Sequence, residues 1–107
     1  MVEEEKSEQA LLVYLKLSDD EFGDFEEREA IFALEDRLIA AIASKSAGEY
    51  DGHEFGEGFG TLYMYGSNVD RLTQTALPIL REYPSHPGSY LKKRYGGPGS
   101  REERIDL

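Results

Sequence analysis

Cysteine is absent from the 107-residue chain. Its absence excludes disulfide frameworks, thiolate zinc sites and cysteine nucleophiles together, and it fits a reducing, cytoplasmic setting. Long apolar runs are also missing. The longest, Ala10 to Leu15, is far short of a membrane span, so no membrane partner is expected. The opening Met1-Val2-Glu3-Glu4-Glu5 has neither the basic region nor the apolar stretch of a secretory leader. Bases are scarce: 12 Lys and Arg stand against 22 Asp and Glu, for a net charge of −10. A surplus of that sign repels polyanions and argues against a nucleic-acid partner.

What is present suffices for one modest core, read as a single domain over residues 1–107. The charge is uneven. Residues 1–57 hold 17 acids and 5 bases, whereas residues 58–107 hold 5 acids and 7 bases. No linker divides the halves, so this is polarity within one domain. A solvated face that keeps the chain soluble would explain it. The sharper reading is an acidic docking surface for a basic protein partner.

Residues 1–9 are mostly charged or polar and are expected to fray. Leu11, Val13, Leu15 and Leu17 then alternate with Leu12, Tyr14 and Lys16, the period of a central strand. After a loop over Ser18 to Gly23, Asp24 and Glu27 form a capping box that opens a helix. Its buried stripe is read as Ile31, Leu34, Leu38, Ile39 and Ile42, with Gly48 as the stop. Tyr50–Phe55 and Phe59–Tyr65 read as a hairpin in which Gly56 and Gly58 supply the turn. A second helix follows the cap at Ser67 to Asp70 and carries Leu72, Ala76, Ile79, Leu80 and Tyr83, with Pro78 expected to bend or loosen it. Ser89–Tyr95 is a polar strand. Residues 101–107 fold back on it with Arg94 opposite Glu102, Lys93 opposite Glu103 and Leu91 opposite Ile105.

The predicted fold class is therefore α+β: a ferredoxin-like βαββαβ sandwich with two helices on one face of an antiparallel sheet and an extra C-terminal strand. The first and third strands take the centre, the second and fourth the edges. The expected core contains Val13, Leu15, Leu34, Leu38, Leu62, Leu72 and Ile79. The open face then presents Tyr14, Tyr63 and Tyr65, a surface suited to a homodimer or to a partner.

Chemistry-bearing patterns are few. Asp51 and His53 would share one face of a strand, with Glu54 on the other and Glu57 beyond, but too few ligands converge for a metal. Gly56-Glu57-Gly58-Phe59-Gly60 precedes a strand rather than a helix and lacks the Lys-Ser/Thr pair of a phosphate loop. No cofactor is expected, and no catalytic residue is assigned. The candidate contacts for a partner are Asp19, Asp20, Glu21, Asp24, Glu26 and Glu27 around the first helix start, with Tyr14, Tyr63 and Tyr65 on the sheet. A small-ligand or catalytic domain using the tyrosine face is the alternative.

The stretch Gly48 to Gly66 and the ending Lys93 to Arg104 resemble small uncharacterised bacterial proteins of ferredoxin-like build. Glu49-Tyr50-Asp51-Gly52 and the order of elements are similar to the regulator of ribonuclease activity B family. That resemblance implies a non-catalytic protein that binds another protein, as immunity proteins and ribonuclease regulators do. It transfers no functional residue.

Overall fold

Strand β1 (Gln9–Lys16), helix α1 (Phe25–Lys45), strands β2 (Glu49–Gly56) and β3 (Phe59–Gly66), helix α2 (Val69–Glu82) and strands β4 (Tyr90–Arg94) and β5 (Glu102–Asp106) make up the computed structural model, which describes residues 8–19 and 21–107. The strands form one sheet in the order β2-β3-β1-β4-β5, with every neighbouring pair antiparallel. This is the ferredoxin-like arrangement with one strand added. Because β5 pairs along β4, the fourth strand is internal and the edges are β2 and β5. The pairing joins Arg94 to Glu102, Lys93 to Glu103 and Leu91 to Ile105, the register in which opposite charges and apolar partners meet.

Local chemistry sets the element ends. The Asp24 side chain accepts the Glu27 N–H, and the Glu27 side chain accepts the Asp24 N–H, closing the capping box of α1. The helix stops at Ser46, whose φ of 50° puts it in the left-handed region. Gly48, read above as the stop, serves the approach to β3 instead: a Cβ there would run into the Tyr65 carbonyl oxygen. In the hairpin the positive φ angles belong to Glu57 and Gly58 (55° and 83°), not to Gly56, as a two-residue turn of the primed type requires. Asn68 caps α2, which runs on through Pro78 to Glu82. Of the leader expected to fray, residues 1–7 lie outside the described residues. Gln9 opens β1, and its side-chain oxygen accepts the Val69 N–H at 2.8 Å.

The core lies between the sheet and the two helices. Leu11, Val13, Leu15 and Leu17 of the β1 segment, Leu62 and Met64 of β3 and Leu91 of β4 meet Ile31, Leu34, Leu38 and Ile42 of α1 and Val69, Leu72, Ala76 and Leu80 of α2. Two expectations change. Ile79 only flanks this core, while Leu80 fills it. Ile39, placed in the buried stripe, is 46 % exposed, because it lies about 100° round the helix from Leu38.

Candidate protein-binding surface

Ser18, Asp19 and residues 21–24 are held by the carboxylates of Asp19 and Glu27. Asp19 Oδ1 accepts the N–H groups of Glu21 and Gly23, both at 2.9 Å, and these bonds hold its carboxyl below the ordinary value. Glu27 is used more heavily. It accepts the Ser18 N–H at 2.9 Å and hydroxyl at 2.7 Å, the Asp24 N–H at 3.1 Å, and lies 3.0 Å from His86 Nε2. Burial pushes the Glu27 carboxyl up, but the bonds from Ser18, Asp24 and His86 outweigh it and leave it below the usual range. In this chain of contacts the carboxylate stands between serine and imidazole. It is therefore not the hydroxyl–imidazole pair that nucleophilic catalysis uses.

The six acids proposed around the helix start thus divide. Asp19, Asp24 and Glu27 hold the loop and the cap. Glu21 and Glu26 are exposed and have no partner among the described residues, and Asp20 lies outside them. The same is true of Glu29 and Asp36 further along α1: both are exposed, with no hydrogen bond or ion pair among the described residues. Arg28, the base within this group, is turned back onto the Phe22 and Gly23 carbonyls.

Set among these acids is an apolar stripe that periodicity alone did not reveal. The large apolar side chains exposed among the described residues are Phe22, Phe25, Phe32 and Ile39, at 57, 67, 36 and 46 %. Phe25, Phe32 and Ile39 are spaced by seven, so they fall on one side of α1, about 100° round the helix from the middle of the stripe that enters the core and on the flank next to β2. Glu29 and Asp36 stand one turn from Phe32 on that side. The apolar arc of the helix consequently extends past the core onto an exposed flank.

The stripe borders strand β2 through a second feature missing from the sequence reading. Glu35 is buried (7 % exposed), and its Oε2 accepts the Tyr50 hydroxyl and lies 2.8 Å from His53 Nδ1. Burial, then the bond to Glu35, pushes the Tyr50 hydroxyl up. A β-bulge between Tyr50 and Gly52 breaks the two-residue period, so Tyr50 and His53 both reach α1 despite their odd spacing. His53 also packs against Phe32 and Phe55, with ring centroids 5.3 and 5.0 Å away. Asp51 is exposed in the bulge, and Glu54 faces the other way, where it accepts the Tyr63 hydroxyl at 2.7 Å. Among the described residues no group of three or more His, Asp or Glu side chains is gathered so as to hold a metal ion. The missed signal was Glu35 itself, an acid inside the apolar arc of Ile31, Leu34, Leu38 and Ile42.

The open sheet face is aromatic, as the alternation predicts, and the rings of Tyr14, Phe59 and Tyr90 are engaged with one another. Tyr14 stacks on Tyr90 at 4.7 Å and meets Phe59 edge-on at 6.3 Å. Arg104 of β5 lies 3.8 Å over Tyr90, and the Lys92 ammonium 5.9 Å over Tyr14. The bond to Glu54 pushes Tyr63 up to about 12. Tyr65 is half-buried on the same face. The Tyr14–Tyr90 part of the face is thus overlain by Lys92 of β4 and Arg104 of β5, while Tyr63 and Tyr65 lie outside that cover.

No protein-family model, curated protein or solved structure shows significant similarity to this chain. Among the described residues no helix is long and apolar enough to cross a membrane.

Proposed function

We propose that this chain is a cytoplasmic, non-catalytic protein-binding module, an inhibitor, immunity or regulatory protein, that receives a basic partner on the exposed flank of α1 beside β2. The observation that carries the reading is the exposure of Phe25, Phe32 and Ile39 along one helix, with Phe22 in the loop before it, beside acids whose side chains have no partner among the described residues. Exposed aromatics that water must solvate are the usual anchors of an interface, and clustered charge of one sign steers the partner and selects it. A ligand or catalytic role for the tyrosine face has weaker support, since the faces of Tyr14 and Tyr90 are already occupied.

Affinity capture with wild type, Phe25→Asp and Glu29→Lys/Asp36→Lys proteins tests the proposal. The expected result is a basic protein retained by the wild type, released by salt and lost with either variant. Retention of the same protein by both variants, or turnover of a small molecule by the isolated chain, would overturn it.

A further inference from the structure

We infer that the occupant of the α1 face is an amphipathic basic helix, laid along the stripe from Phe25 to Ile39; this rests on the protein-binding reading above. Three arguments support it.

The first is spacing. Phe25, Phe32 and Ile39 recur every seven residues over about 21 Å of helix, and that repeat matches the knobs of a second helix packed at a shallow angle. The second is hydrogen bonding. A helix offers a neighbour no free backbone donors or acceptors along its flank, so a segment lying extended there would leave its own amide groups unpaired against phenylalanine. A helical segment brings its backbone bonds with it.

The third is charge. Glu29 and Asp36 flank the stripe and are joined at its N-terminal end by Glu21 and Glu26, all exposed and without partners among the described residues. Lysines or arginines beside the apolar residues of the incoming helix would meet them. A second copy of this chain would not: two-fold pairing of the stripe would set Glu29 and Asp36 against the same acids of the other copy.

The test uses three synthetic peptides of equal length, titrated into the full chain under nuclear magnetic resonance and circular dichroism. One carries leucine at heptad positions with lysine elsewhere. The second has the same composition scrambled so that no apolar face forms, and the third replaces lysine by glutamate. The ordered basic peptide should gain helicity on binding, shift the resonances of Glu29, Phe32, Asp36 and Ile39, and bind at least about tenfold more tightly than either control. Ile39→Asp should weaken it about tenfold while the free protein keeps its cooperative thermal unfolding and its circular dichroism spectrum. If the scrambled basic peptide binds equally well at the same residues, the helical occupant is wrong and the acidic docking face stands. If the ordered peptide does not bind at millimolar concentration, or shifts only the sheet face, the inference fails. Self-association through α1 abolished by Ile39→Asp would also overturn it.

Discussion

Replacing Glu35 should expose how much of the α1–β2 contact rests on one buried carboxylate. In Glu35→Ala the Tyr50 hydroxyl loses its acceptor and His53 the group that orients its ring. A hydrogen bond to a charged group contributes about 1.5–3 kcal/mol. Because Tyr50 is only half-buried and His53 partly exposed, water recovers some of that, so we expect a loss of about 2 kcal/mol. Unfolding entropy near 2.1 cal/mol/K per residue over 107 residues converts this to a fall in Tm of roughly 9 °C. Removing both polar partners should cost less than removing one, since no hydroxyl is then left without an acceptor. Glu35→Leu/Tyr50→Phe should therefore recover at least about half of the loss seen for Glu35→Leu alone. Calorimetry of wild type, Glu35→Leu, Tyr50→Phe and the double variant measures the cycle, with Glu35→Ala alongside. Additive effects, or Glu35→Ala unfolding within about 2 °C of wild type, would refute the role given to this carboxylate.

Gly48→Ala places a methyl against the Tyr65 carbonyl at a φ of +152°, so denaturant titration should show a loss greater than about 1 kcal/mol. Leu38 is fully buried, and Leu38→Ala should cost about 2–5 kcal/mol in the same assay. Glu27 has a lowered carboxyl value in the fold. Its contribution is therefore complete above the ordinary value of 4.5 and is lost as pH falls through the folded value. Glu27→Gln should destabilise the protein at neutral pH and flatten the acid limb of its stability curve; an unchanged acid limb would refute this.

Sequence logic recovered what is periodic or paired. The β4–β5 register was legible because Arg94, Lys93 and Leu91 meet Glu102, Glu103 and Ile105 only in one alignment, and the capping box because its two acids are three residues apart. It faltered where one residue changes the geometry. The bulge at Tyr50–Gly52 moves His53 onto the α1 side of the sheet, and no composition rule signals a bulge at that position. Ile39 was drawn into the core because an apolar residue beside Leu38 widens the stripe on paper. The same assignment hid its membership of the outer row with Phe25 and Phe32. The acids at the helix start were legible as a cluster. Which of them are spent on the loop depends on hydrogen bonds that spacing does not specify.

The distribution of pairing explains why the acidic surplus concentrates on α1. In the second half of the chain six of the seven bases are engaged, Arg81 being the exception among the described residues: Lys93 lies between Asp70 and Glu103, Arg101 on Glu103, Arg104 on Asp106 and Lys92 near Glu102. Arg71 caps the end of α1 through the Lys45 and Ser46 carbonyls, and Arg94 bonds the Gly96 carbonyl. These contacts pin the C-terminal hairpin to α2 and α2 to α1, and they leave little cation to offset the N-terminal acids. Exposed pairs of this kind add little stability each; their larger effect is to fix where the charge is not cancelled. Glu21, Glu26, Glu29 and Asp36 therefore act as one field beside Phe25, Phe32 and Ile39. A partner that neutralises those acids also gains the apolar contact, whereas an acidic partner forfeits one to reach the other. Salt alone should weaken the proposed complex by screening the rim, and Ile39→Asp should weaken it at every salt concentration. If the two perturbations proved interchangeable, charge and apolar contact would not be separate components of one surface.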